Sequence, residues 1–401
     1  MSGRNRKMSS LTDKLKSELR SELTGNILPF WINKATDHVH GGFLGHIDFD
    51  GRPQPKAVKG AILNARILWT FSAAYRVLKS EHYLEMARRA YTYFTNHFPD
   101  PEYGGVYWKL DFEGNPVETK KQVYALAFAI YGLTEYHRAV DDPAALNLAR
   151  NLYRDIEQHS FDPERNGYFE AFSREWAPID DLRLSEKDQN ESKTMNTHLH
   201  ILEAYTNLYR VWENDELRLK LVNLIRLFLE KFVNSESHLN LFFDDDWNLR
   251  SDLVSYGHDI ECSWLLQEAA GVTGDPQLVE HTRELAVSIA EKNLEGFDNT
   301  GGLCYEFFPG EGRVDREKHW WPQAEAIVGY YNAYQVSGRE KYLHIAVSTW
   351  HFIQKYLVDV ANGEWHWSVD EYGTPNTKEE KAGFWKCPYH NSRACLEILE
   401  R

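Results

Sequence analysis

The chain holds only four cysteines in 401 residues, Cys262, Cys304, Cys387 and Cys395, all in its C-terminal half. They form no CxxC pair and no zinc-ligand spacing, which excludes a disulfide scaffold and a structural zinc centre and leaves buried free thiols. No apolar run is long enough to cross a bilayer, and the opening MSGRNRKMSS lacks the hydrophobic middle of a secretion signal, so the expected location is the cytoplasm, with no membrane partner. Positive charge is also short: 45 Lys and Arg face 60 Asp and Glu, a net charge of −15. That balance opposes a nucleic-acid partner, which requires clustered cations against phosphate. A Gly-rich phosphate loop, a GxSxG elbow and HExxH are all missing, so no cofactor and no metal is expected.

What is present is a repeat. HGGFLGHIDFDGRP (40–53) returns as YGGVYWKLDFEGNP (103–116), NGYFEAFSREWAP (166–178), HLNLFFDDDWN (238–248), GGLCYEFFPGEG (301–312) and NGEWHWSVDEYGTP (362–375). Aligned on Gly42, Gly105, Gly167, Asn240, Gly302 and Gly363, the copies are spaced by 63, 62, 73, 62 and 61 residues. Such regularity over a whole chain is a repeat architecture. Each copy reads as a short β-hairpin: Gly supplies special backbone conformations, alternation marks paired strands, and Asp-Gly or Glu-Gly makes the turn. The fourth copy, without Gly, fits least well.

Between the hairpins the apolar spacing becomes that of amphipathic helices, two per gap. The first of each pair spans about 10–34, 81–98, 143–159, 217–233, 276–292 and 340–356 and carries charged faces. The second spans about 57–78, 121–140, 193–212, 257–270, 319–335 and 387–400 and is apolar or small almost all round, as in ILNARILWTFSAAY and VYALAFAIYGLTEY. Helices of that kind are buried on every side. Six inner and six outer helices predict an all-α closed ring, an (α/α)6 barrel with hairpins at the rim. An open stack would need atypical caps instead. Residues 11–401 read as one catalytic domain and 1–10 as a disordered extension.

In such a ring the N-terminal ends of the inner helices meet at one mouth. Aligning those helices brings Arg66, Phe128, His200, Glu261, Glu325 and Arg393 to one level, with His258 and His390 equivalent one turn earlier. Glu261 follows His258 by three positions and Arg393 follows His390 likewise, spacings that share a helical face. A carboxylate favours the charged imidazole and a guanidinium the neutral one, so the pair is expected to separate into acid and base. His198 and His200 in HLH lie on different sides of their helix, which opposes a shared metal ion. Trp108, Trp320, Trp321, Trp365, Trp367 and Trp385, with Tyr124 and Phe128, sit in hairpins or at inner-helix starts, where rings either stack on sugars or pack the core.

The segments AILNARILWTF, MNTHLHILEAYTNLYRVW, SYGHDIECSWLL, HWWPQAEA and FWKCPYHNSRACLEIL resemble the motifs of the N-acylglucosamine 2-epimerase superfamily, most closely the branch that epimerises cellobiose. The resemblance runs from about Leu11 to Arg401. It implies an (α/α)6 barrel, no cofactor, and inversion at C2 of the reducing-end sugar of β-1,4-linked disaccharides, a small-molecule substrate; a monomer is expected separately. It also implies sites: His258 and His390 as the acid/base pair, His200 as a third essential histidine, and Arg66, Tyr124, Asn196, Glu261, Trp321 and Trp385 lining the sugar. Phe128 and Asp188 join the substrate-binding set.

Inversion at C2 requires the hemiacetal to open first, since only next to a carbonyl is that hydrogen acidic. Two bases on opposite sides then take and return the proton through a cis-enediol or enediolate. His258 and His390 are the expected pair, with Glu261 orienting His258 and with Arg66 and His200 stabilising charge on the aldehyde oxygen. Three alternatives stay open at this point. One is an epimerase or aldose–ketose isomerase acting on free mannose or glucose. Another is a glycoside hydrolase using two of Asp188, Asp259, Glu261 and Glu325. The last is a noncatalytic carbohydrate-binding or protein-binding scaffold using the aromatic mouth.

Overall fold

The computed structural model describes residues 3–401 and is built from thirteen α-helices in two concentric layers. The inner layer is α3 (Ala61–Leu78), α5 (Val123–Val140), α7 (Met195–Tyr209), α9 (Tyr256–Thr273), α11 (Trp320–Ser337) and α13 (Tyr389–Glu400). The outer layer is α1 (Gly3–Glu22) with α2 (Leu28–Asn33), then α4 (Glu81–His97), α6 (Pro143–His159), α8 (Asp215–Leu227), α10 (Pro276–Asn293) and α12 (Glu340–Phe352). Short π-turns extend three of these: Leu23–Ile27 joins α1 to α2, and Phe228–Phe232 and Ile353–Leu357 follow α8 and α12. Each inner helix packs on the next and α13 returns to α3, so the ring closes as the sequence predicts. No helix among the described residues is long and apolar enough to cross a membrane.

The layers follow from side-chain distribution. In α5 every residue from Val123 to Tyr136 is buried, which suits a helix with neighbours all round, whereas α6 buries only one stripe, Ala145, Ala149, Leu152, Tyr153 and Ile156. Asp142 caps α6 by accepting from the Ala144 and Ala145 amides, with Pro143 opening the first turn, and Asp275 with Pro276 repeats the device in α10. Gly132 lets α3 and α5 approach closely, because a Cβ there would lie 2.6 Å from the Ala65 carbonyl oxygen.

All six hairpin copies form, including the fourth. Each opens with one bridge after its outer helix: Thr36 to Phe43, Pro99 to Val106, Phe161 to Tyr168, Val233 to Leu239, Phe297 to Leu303 and Val358 to Trp365. They are not free-standing, however. Lys109–Leu110 of the second copy pairs with Lys59–Gly60 at the start of the preceding inner helix, and the third to sixth copies do the same one repeat on. The first copy pairs through Ile47 with Ala382, ahead of α13, so the rim closes where the helices close. A two-stranded hairpin is marginal alone in water, and pairing across repeats supplies the missing partners.

Buried ion pairs tie the same joints. Lys59 meets Asp37 at 2.7 Å, Lys121 meets Asp100 at 2.8 Å and Lys193 meets Asp162 at 2.7 Å, while Lys318–Asp298 and Lys381–Asp359 complete the set. The N-terminal boundary differs from expectation: α1 begins at Gly3, so residues 3–10, expected to be a disordered extension, are helical, because the helix continues into the packed stripe of Met8, Leu15 and Leu19. Met1 and Ser2 of that extension lie outside the described residues.

Candidate active site

The starts of the inner helices converge on one buried charged cluster. At its centre Arg393 donates from Nη2 to Glu261 and to Glu325, at 2.6 Å each, and from Nη1 to Glu203 and the Tyr389 hydroxyl. Glu325 accepts twice more, from His390 Nδ1 at 2.7 Å and from Trp264 Nε1 at 3.0 Å. Glu203 holds His200 through Nδ1 at 2.8 Å. Burial pushes Glu325 up, but Arg393 and His390 outweigh it and hold the carboxyl at about 2. Glu261 goes the other way: burial and the Glu325 charge raise it well above the ordinary carboxylate value despite Arg393.

His258 and His390 meet around one indole. The Trp321 ring lies 4.8 Å from His258 and 5.6 Å from His390, centroid to centroid. Each histidine engages the protein through Nδ1, His390 to Glu325 and His258 to Ser255 Oγ at 2.8 Å, and no Nε2 partner exists for either among the described residues. Both are pushed down to about 3: His390 by burial, against Glu325 and helped by Arg66 and Arg393, and His258 by burial and then by His200. Both are therefore neutral imidazoles near pH 7. They are not equivalent. A carboxylate at Nδ1 requires the proton there, which leaves His390 Nε2 as a lone pair, whereas a hydroxyl at His258 Nδ1 accepts or donates.

Arg66, on α3, donates to the Tyr124 hydroxyl at 2.8 Å, with its guanidinium 4.1 Å from the Phe128 ring centroid and 4.8 Å from that of Tyr389. Phe128 and Tyr124 in turn hold His200, at 4.6 and 4.9 Å. Trp385 leans on Tyr124 and Trp108, 6.1 and 6.0 Å away, and stays half-exposed. Asn196 opens α7 with its Oδ1 buried and unpartnered among the described residues, an orphan acceptor of the kind a ligand hydroxyl satisfies. Asp188 lies on the long connection 173–192 that accounts for the 73-residue spacing, where Ser185 holds it through its amide and hydroxyl at 2.9 and 2.8 Å, and its charge acts on Tyr305, whose ring is 6.4 Å from that of Trp321.

Several expectations need correction. Glu261 does not orient His258. It lies one turn deeper, where the ring interior offers Arg393, while His258 turns to Ser255 at the rim. The direct carboxylate partner falls to His390, through Glu325, with Arg393 still acting on that ring, while His258 has a hydroxyl in place of the expected carboxylate. His198 is structural: its Nε2 accepts from the Tyr168 amide at 2.9 Å and its Nδ1 bonds the Thr194 carbonyl at 2.7 Å. Trp365 and Trp320 are core residues, the first fully buried and bonded to Glu22. Ser255, Glu203, Tyr389, Trp264 and the bond from Glu325 to His390 were not read from the sequence. Glu203 was within reach, since it follows His200 by the same three-residue step used for His258.

Glu261, Glu325 and His390 also offer three ligand atoms within 4.8 Å of one another. The Arg393 guanidinium already bonds both carboxylates, so a cation would have to displace it.

Fold and site together define an (α/α)6 barrel with two histidines, His258 and His390, around one indole at its mouth. Residues 42–394 match the N-acylglucosamine 2-epimerase (GlcNAc 2-epimerase) family. The chain is 54% identical over 386 residues to a cellobiose 2-epimerase of Bacteroides fragilis, covering 96% of this chain and 98% of that one. It is 43% identical over 390 residues to a cellobiose 2-epimerase of Ruminococcus albus, with the same coverage of 96% and 98%. The solved cellobiose 2-epimerase of Bacillus thermoamylovorans B4167 superposes with a TM-score of 0.92 at 45% identity, over 97% of this chain and 100% of that one. The chain belongs to the N-acylglucosamine 2-epimerase family and is an epimerase.

Proposed function

We propose that the protein inverts C2 of the reducing-end sugar of β-1,4-linked disaccharides, converting cellobiose to glucosyl-mannose and lactose to epilactose, by proton transfer between His258 and His390. The observation that carries this reading is the pair of neutral imidazoles around Trp321, each anchored at Nδ1 and unengaged at Nε2. Two such groups beside one sugar meet the requirement of the reaction, which removes the C2 proton of the opened aldose and returns one to the other face. The lone pair that Glu325 enforces on His390 Nε2 makes His390 the resting base, and the roles exchange in the reverse direction.

Arg66 and His200 supply positive charge and a hydrogen bond to the aldehyde oxygen as the enediolate forms. A preorganised donor in such a place contributes about 3 kcal/mol. Tyr124, Phe128, Asn196, Trp321, Trp385 and Asp188 form the sugar-binding set, with Trp385 and Trp321 as stacking surfaces on two sides of the mouth. Every step uses protein groups alone. Hydrolysis is less well supported, because Glu203, Glu261 and Glu325 are all engaged by Arg393. A cytoplasmic setting agrees with four buried free cysteines.

Incubation with cellobiose, lactose and mannose separately, followed by NMR of the products, tests the reading. The C2 epimers of the two disaccharides are expected. Released glucose, or turnover of mannose alone, would contradict it.

A further inference from the structure

The fourth repeat departs from the other five at the rim. Where those place a buried Lys–Asp pair, it has Val254 and Asn234, both uncharged. Its charge sits elsewhere: His238, 5% exposed, lies between two carboxylates, Nδ1 2.6 Å from Asp259 Oδ2 and Nε2 2.9 Å from Glu295 Oε1. Between two ionised carboxylates a hydrogen bond from each nitrogen requires both ring protons, which makes His238 an imidazolium; burial raises Asp259, and its bond and charge contact with His238 oppose that shift.

Asp259 itself holds a repeated position. Its other oxygen accepts from the Leu239 amide at 2.9 Å, just as the equivalent His198 and Gln323 accept from the Tyr168 and Leu303 amides, also at 2.9 Å. This position clasps a hairpin to the first turn of an inner helix. Of these three clasps only the fourth repeat's is a carboxylate, fully buried, and there the adjacent residue is His258.

We propose that His238 is a positioning residue for His258: by neutralising Asp259 it fixes the first turn of α9 and so sets the His258 ring against Ser255 and Trp321. This rests on the reading of His258 as a proton-transfer group. Around His238 the charged and titratable groups are Asp259, Glu295, Lys292, which bonds the other Glu295 oxygen at 2.6 Å, and Tyr256, whose ring is 6.2 Å away; Asp259 also acts on Cys262 and Tyr330. Burial opposes the charge on His238, and the two carboxylates outweigh it, so its titration moves up from the ordinary value. The clasp is therefore complete at acid to neutral pH and weakens as pH rises through the titration of His238.

Two variants test this, with kcat and KM on cellobiose across pH, the ring resonance of His258, and thermal melting. His238→Leu removes both donors and should lower kcat about tenfold or more with KM within about twofold, and shift the His258 resonance. His238→Asn keeps a donor for Asp259 without a titrating ring, so it should restore kcat to within about threefold and abolish the alkaline decline of the parent. A His238→Leu protein that melts lower but turns over normally, or a His238→Asn protein no better than His238→Leu, overturns the proposal. Should the parent fail to epimerise cellobiose at all, the functional reading falls instead, and an unmoved His258 resonance in His238→Leu would still sink the clasp.

Discussion

Glu261 and Glu325 accept from the same Arg393 nitrogen at the same distance, yet their titrations move in opposite directions, Glu261 up and Glu325 down. Substitution by glutamine separates them. Glu261→Gln keeps an oxygen for Arg393 at a carboxyl whose titration is already raised and should leave kcat within about threefold, whereas Glu325→Gln removes the charge that fixes the His390 tautomer and should cost roughly a hundredfold. Steady-state rates on cellobiose check both. The histidines predict a stability profile as well. His198, His258 and His390 are each pushed down to about 3 by burial, so the unfolded chain binds more protons than the folded one below its ordinary histidine pKa. Their contribution is intact above about pH 6.5 and is lost as pH falls toward 3. Melting temperature should accordingly decline below pH 6.5, and a flat profile from pH 7 to 4 would contradict the neutral, buried assignment.

Among elements, the joint between a hairpin and the preceding inner helix is the repeated structural unit. Lys193 and Asp162 pair there with 0% and 3% side-chain exposure, so Lys193→Val alone strands a buried carboxylate and should destabilise the fold by about 3 kcal/mol. The double change Lys193→Val with Asp162→Asn copies the Val254 and Asn234 arrangement of the fourth repeat and should recover much of that loss. Denaturant melts of the parent, the two single variants and the double variant measure the coupling. The helices and hairpins were legible in the sequence because periodicity and turn residues are local signals, and α6 and α10 begin where Asp-Pro marks them. The joints were not. Strand pairing between repeats depends on which segments the closed ring brings side by side, and nothing local to the lysines at 59, 121 and 193 marks the aspartates about twenty to thirty residues earlier as their partners. Within the site, the His200 to Glu203 step obeyed helical spacing, but the His258 to Glu261 step failed because the two side chains reach different depths and different partners.

At the scale of the molecule, closure is what makes a site from scattered helix starts. His390 comes from α13, Arg66 from α3 and His258 from α9, and only a ring sets all three around one mouth. Its seam is held by the N-terminal helices, through Glu18 to Trp350, Glu22 to Trp365, Asn26 to the Glu364 amide and Trp31 to Glu364. Deleting residues 1–33 exposes Glu364 and the apolar back of α13, and should abolish the cooperative thermal transition seen by circular dichroism. A sharp transition in the truncated protein would show that the ring closes without that cover.

The central claim is that two histidines exchange a proton at one carbon with solvent in reach. Cellobiose turned over in deuterium oxide tests it most directly, with NMR following C2. The account predicts an epimer labelled at C2 from the parent protein, and neither epimer nor label from folded His258→Ala or His390→Ala. Epimer formed without label, or formed at the parent rate by either variant, would contradict it.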